Sequence, residues 1–207
     1  AHLDASGRSA SVTSGLASIT FDNDGVDRID LGGLSATLAM DGDGYRASFS
    51  SSATAGGSDG ILSGSEGSID VEAGFQDGSI SYIQAGLSSV TLPFIDDEIA
   101  LSFAMQDDTY AFILSCGDQV RAEGSYGSSS AFLDISISDF RLSQLRPFAE
   151  RYLPALTRYI GESTALTGSV MVDVASYGSG LIGPMSLGLA VSDIAFGPYS
   201  FSIGAFL

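Results

Sequence analysis

Apolar and polar residues alternate along most of this chain, at the period of two that sets side chains on opposite faces of a β-strand. Leu34, Ala36, Leu38 and Met40 mark one strand face, closed by Asp41-Gly-Asp-Gly44, and Tyr45, Ala47 and Phe49 begin the return. Ile69, Val71, Ala73 and Phe75 lead to Asp77-Gly78, a dipeptide that tolerates the positive φ of a hairpin turn. Ile80 and Tyr82 run into Ile83, Ala85 and Leu87, then Val90 and Leu92. The alternation slips twice there, which predicts bulges or a bent strand, and Pro93 fits a strand end. Leu101, Phe103 and Met105 precede an Asp107-Asp108 turn, and Tyr110, Phe112, Leu114 and Cys116 precede a Gly117-Asp118 turn. Leu133, Ile135 and Ile137, then Val170, Val172 and Val174, then 187–196 and 201–207 continue the rhythm. The pattern predicts about a dozen strands in a meander. Residues 50–68, rich in Ser, Gly and Ala, read as a flexible loop.

One stretch breaks the rhythm. Leu142, Leu145, Phe148, Ala149, Tyr152, Leu153, Leu156, Tyr159 and Ile160 recur at three and four, which predicts an amphipathic helix within 141–161. Ser143 is a candidate cap, Pro147 suits a first turn, and Pro154 must kink or divide the helix. Its apolar stripe predicts either a plug on the end of a β-core or a gate over an apolar groove, with Arg146, Arg151 and Arg158 on the outer side.

The strands carry Ile, Leu, Val, Phe and Tyr on one face and mostly Ser, Ala, Gly, Thr and Asp on the other. A long curled, mainly antiparallel sheet with an apolar lining gives that pattern. A β-sandwich or β-helix gives it too, and periodicity alone does not separate them.

Composition narrows the chemistry. The 207 residues include 26 Gly, one Cys and one His, and the net charge is −17. All eight basic residues are Arg, and four of them fall in 141–158. So acidic a chain lacks the cations that nucleic-acid binding requires. One Cys allows no disulfide within the chain, and its register with Phe112 and Leu114 predicts a buried structural thiol. A single His, His2, removes most metal sites and most acid–base schemes. No run of 18 apolar residues predicts a membrane-crossing helix. The first residues lack the apolar core of a signal peptide, and the last stop in mid-strand, so the chain reads as one piece of a longer protein.

Several runs imitate sites. Asp22-Asn-Asp-Gly25 with Asp27 and Asp30, and Asp41-Gly-Asp-Gly44, offer carboxylates that calcium accepts, but both are also turn sequences without a closing Glu at the required spacing. Asp96-Asp97-Glu98 reads as an exposed turn rather than an acid–base pair. Gly32-Gly33 is no phosphate cradle and Gly178-Ser-Gly180 no nucleophile elbow. No catalytic residue, metal site or cofactor emerges, and the chain reads as a binding protein rather than an enzyme.

Phe140-Arg-Leu-Ser-Gln-Leu-Arg-Pro-Phe148, then Tyr152-Leu-Pro-Ala-Leu156, then Leu166-Thr-Gly-Ser-Val170 resembles the TamB and AsmA-like proteins of diderm bacteria, which place a short Leu-rich helix between two strands in this way. The resemblance covers about 40 residues by motif and the rest by composition. It implies an all-β half-tube with an apolar groove, one elongated segment of an inner-membrane-anchored periplasmic protein that conducts phospholipid or another acyl-chain ligand between membranes, in some members with an outer-membrane barrel partner. The chain's lack of Lys departs from the family. On this view Leu101, Phe103, Met105, Phe112, Leu114, Leu133, Ile135, Val170 and Val172 line the groove, and Leu145, Phe148, Tyr152 and Leu156 form the gate. Two other classes stay open: a domain of a surface adhesin or autotransporter passenger, and a scaffold that assembles outer-membrane proteins by strand addition.

Overall fold

The computed structural model describes residues 2–6, 9–20, 28–56, 61–177, 180–196 and 199–206; at 2–6, 176–177, 180–182 and 195–196 it describes the backbone alone. The strands are β1 (His2–Ser6), β2 (Ser9–Thr20), β3 (Arg28–Asp41), β4 (Gly44–Gly56), β5 (Glu66–Gln76), β6 (Ser79–Leu92), β7 (Ile95–Gln106), β8 (Thr109–Cys116), β9 (Val120–Tyr126), β10 (Ser130–Arg141), β11 (Ala165–Tyr177), β12 (Gly180–Ile182), β13 (Met185–Phe196) and β14 (Tyr199–Phe206). They form one antiparallel sheet that does not close into a barrel, with 75% of residues in strands. Neighbours follow chain order, except that β12 and β13 both pair with β11. The curled-sheet expectation therefore holds at the level of an open all-β sheet, against a sandwich or a β-helix. β14, last in the order, is exposed along its whole length.

The turns follow the local chemistry. Asp77 (φ 52°) and Gly78 (φ 76°) make the β5–β6 hairpin, and Gly42 (φ 62°) sits in the β3–β4 turn, where Arg46 bonds Asp41. Asp41-Gly-Asp-Gly44 is thus a hairpin turn, while 22–27 lies outside the described residues. Three local expectations need correction. The loop expected at 50–68 is shorter, because β4 runs to Gly56 and β5 starts at Glu66. The small residues there pair instead of looping: Ala53 faces Gly67, and the buried Ser51 donates to the Gly32 carbonyl. Asp96, Asp97 and Glu98 lie within β7, because the turn falls earlier, at Pro93 and Phe94. Ser143 caps no helix; its hydroxyl donates to the Glu162 carbonyl across the insert.

Among the described residues five register shifts interrupt these ladders, and four of them hold one residue at positive φ: Gly33 (59°), Ser89 (50°), Asp139 (53°) and Asp193 (51°). A bulge leaves ladder groups unpaired, and side chains opposite take them up. Ser51 and Ser52 donate to the Gly32 carbonyl, Thr167 Oγ1 accepts from the Asp139 amide, and Thr164 donates to the Asp193 carbonyl at 2.8 Å. The two slips read in β6 are real: its register shifts against β5 near Ser81 and again near Ser89.

Residues 142–160 form the helical insert. A 3₁₀ turn, Leu142–Leu145, precedes α1 (Arg146–Tyr152) and α2 (Pro154–Thr157). Pro147 stands in the first turn of α1, and Pro154 divides the helix at Leu153, which leaves the helical region at φ −136° and ψ 50°.

The chain forms two compact units, Ala1–Pro93 with Glu98–Tyr110, and Phe94–Asp97 with Ala111–Leu207. Each unit is described by itself.

Candidate functional site

In the first unit the registers gather the apolar residues on one face. Val12 lies opposite Ala36, Ala36 opposite Phe49, Phe49 opposite Val71, and Val71 opposite Ala85. Two rows along, Met40 faces Tyr45, Tyr45 faces Phe75, and Phe75 faces Ile80. Directly opposed residues in an antiparallel pair share a face, so these rows are one surface. The bulges keep it so: Ile80 and Ile83 differ in parity yet share the face through the shift at Ser81. The other face is polar. There Arg46 bonds Asp41 and lies near Glu72, which holds its guanidinium above the ordinary range, chiefly through the Asp41 hydrogen bond. Tyr82 covers Gly74 and donates to Glu72 at 2.6 Å, and that bond raises its phenol pKa.

Among the described residues, the apolar face of the first unit stays partly exposed. Leu38 keeps 46% of its surface and Met40 51%, and the buried apolar residues among those described all belong to the second unit. An apolar face of this extent left in water is uncommon for a soluble sheet, which usually packs its apolar side against another layer. Leu101, Phe103 and Met105 alternate along β7 in this unit, with Leu101 and Met105 half-buried and Phe103 more exposed. The Phe103 and Tyr110 rings approach to 6.4 Å between centroids.

The second unit repeats the arrangement. Ala122 faces Ile135, Ile135 faces Val170, and Val170 faces Leu187; beside them Gly124, Leu133, Val172 and Met185 form a parallel row. A Cβ on Gly124 would lie 2.6 Å from Phe112 Cε1, so the Phe112 ring covers that glycine. Phe112, Leu133, Ile135, Val170 and Val172 therefore share one face, and Leu114 alternates with Phe112 on β8. Phe112 is exposed; the other five are half-buried. The bulges at Asp139 and Asp193 then return Phe140 and Ile194 to this same face, where both are buried. Cys116 is buried as well. Burial, and next the charge of Asp97, push its thiol pKa up, as for a structural rather than a nucleophilic cysteine.

The insert divides the stripe read from the sequence. Leu142, Leu145, Tyr159 and Ile160 are half-buried and Ala149 is buried, whereas Phe148, Tyr152, Leu153 and Leu156 are exposed. Of the four expected gate residues, Leu145 is thus on the covered side and three are in solvent. The insert is tied down by Leu142 N–H to the Thr164 carbonyl, at 2.8 Å, and by Gln144 to Asp96.

Among the described residues, one shallow hollow lies among Asp41, Tyr45, Gln76 and Tyr82, and another among Asp139, Arg141, Glu162, Ser192 and Asp193. Both lie beside turns or bulges. Among the described residues no group of His, Cys, Asp or Glu is placed to hold a metal, and no helix is long and apolar enough to cross a membrane. No family model, no curated protein and no solved structure matches the chain.

Proposed function

We propose that the apolar sheet faces bind acyl chains of phospholipid, and that the chain is a segment of an envelope protein that passes lipid along such faces between inner and outer membranes. The observation that carries this reading is the partly exposed apolar face that the registers build row upon row in each unit. An acyl chain gains about 0.8 kcal/mol for each CH₂ taken out of water, so a surface of Leu, Ile, Val and Phe side chains binds it without a specific polar site. The polar opposite face keeps the other side of the sheet wetted. The resemblance of 140–170 to TamB and AsmA-like proteins points the same way, and with it a groove, a periplasmic setting and a barrel partner. The role is binding and conduction, not catalysis.

Native mass spectrometry of the purified chain, with lipid extraction alongside, tests the reading. Bound phospholipid is expected. Leu133→Asp, in the middle of an apolar row, should abolish it, while Ser136→Asp, exposed on the opposite face, should not. Circular dichroism and urea unfolding of each variant separate lost binding from lost folding. A folded chain that carries no lipid, or equal lipid on both variants, would sink the proposal.

A further inference from the structure

The geometry points to the helical insert as an interfacial anchor: its exposed aromatic and leucine tip, with the arginines around it, docks on an anionic phospholipid surface. This does not rest on the acyl-binding reading, because it uses a different surface. Residues 141–161 hold four Arg and one Glu, net +3, whereas the remaining residues hold four Arg and 24 acids, net −20. Three of the eight Arg thus lie in the insert, at 146, 151 and 158, and Arg141 ends the strand before it. At the same place it exposes Phe148 (44%), Leu153 (50%) and Leu156 (51%).

The local structure explains why these side chains are outside. Pro154 ends α1 after two turns, and the break carries Leu153 out of the helical path. The inward side of so short a helix is satisfied by Ala149 and Leu145, so Phe148 and Tyr152, four residues apart, pack against one another outside, with centroids 4.6 Å apart and the rings tilted by 44°. Arg151 lies over the Tyr152 ring at 5.8 Å and Arg158 over Tyr159 at 4.7 Å. Aromatic and leucine side chains beside arginine suit the boundary between headgroups and acyl chains, where a short amphipathic element lies in the plane of the interface.

Charge decides the kind of surface. Acids on the rest of the chain repel an anionic membrane, but salt at physiological strength screens them beyond about 8 Å. Of the acids near the insert, Glu150 pairs with Arg146 at 3.0 Å, and Asp139, Glu162 and Asp193 line one hollow with Arg141, so the cations set against the membrane are Arg151 and Arg158. The tip therefore meets the membrane as a locally cationic body on an acidic chain.

Co-sedimentation of the full chain with vesicles tests this. Vesicles of phosphatidylglycerol mixed with phosphatidylcholine should bind it, and pure phosphatidylcholine should bind it far less. Phe148→Ser with Leu156→Ser should remove binding to both. Arg151→Gln and Arg158→Gln should each weaken the anionic preference about fivefold. All four positions are exposed, so circular dichroism should show these variants folded. Leu133→Asp, which removes acyl capture, should still bind vesicles, so the two proposals fail separately. Equal binding to both vesicle types, or no change in the serine variant, overturns the anchor. So does a chain that ignores vesicles but falls from dimer to monomer when Phe148 and Leu156 are replaced, since the tip is then a self-association surface.

Discussion

The two units build the same kind of amphipathic sheet and stabilise it differently. In the first, the apolar rows from Val12 to Ala85 and from Met40 to Ile80 stay partly in water, and its buried side chains among the described residues are Ser51 and Ser65. In the second, Cys116, Ala122, Phe140, Ala149, Ala165 and Ile194 are buried. Phe140 and Ile194 are placed on the apolar face by bulges, and Ala149 comes from the insert. The first unit therefore depends on ladder hydrogen bonds and cross-strand pairs, while the second adds a small local core. A sheet that keeps its apolar face free gives up the burial that stabilises most domains, and it must recover stability where the face is covered.

Truncation of Phe140 should break the comparison first if it is wrong. Phe140→Ala empties a buried site and should cost about 3 kcal/mol in urea unfolding, whereas Phe49→Ala, half-exposed in the first unit, should cost about 1 kcal/mol. Equal losses would mean that the second unit has no core advantage. A smaller effect should follow at the bulge beside it. Asp139→Val forces a β-branched residue to φ 53° and should cost about 1–2 kcal/mol, while Asp139→Gly should be nearly neutral. If valine is tolerated, the bulge is not what holds Phe140 inside. The smallest effect sits at Cys116, whose folded pKa is raised above its ordinary value of about 9. Below that pH the thiol is neutral folded and unfolded, and the shift has no consequence. Above it the unfolded chain ionises first, so stability falls as pH rises until the folded thiol also ionises. Cys116→Ala should flatten that part of the stability curve against the parent chain. An identical slope would place the thiol in contact with solvent.

Much of the sheet is legible in the sequence, because a half-buried strand writes its two faces in alternate residues. The hairpin at Asp77-Gly78, the two slips in β6 and the division at Pro154 all follow from local chemistry. The other bulges were legible too, by a sign that strict alternation hides. Leu31-Gly-Gly-Leu34, Leu87-Ser-Ser-Val90, Ile137-Ser-Asp-Phe140 and Val191-Ser-Asp-Ile194 share one form: two apolar residues around two small or acidic ones, the third position at positive φ. Spacing of three in a strand context marks a bulge that keeps both apolar residues on one side. The loop expected at 50–68 failed for the opposite reason. Ser and Gly signal turns, yet on a sheet of small residues they also serve as ladder positions, and only the partner strand decides. The exposure of Phe148, Tyr152 and Leu156 was not legible, since a helical stripe does not say how much of it a short helix can cover.

The exposure of β14 has a consequence for handling the chain in solution. It leaves Tyr199, Phe201, Ile203 and Phe206 in water, an apolar patch to which a second copy can add. Mutual repulsion between copies that each carry −17 opposes that addition at neutral pH. The acidity then acts as a colloidal stabiliser, and it fades as pH falls toward the isoelectric point near 4.1 or as salt rises. The charge that sets this chain apart in composition also keeps its copies apart in solution.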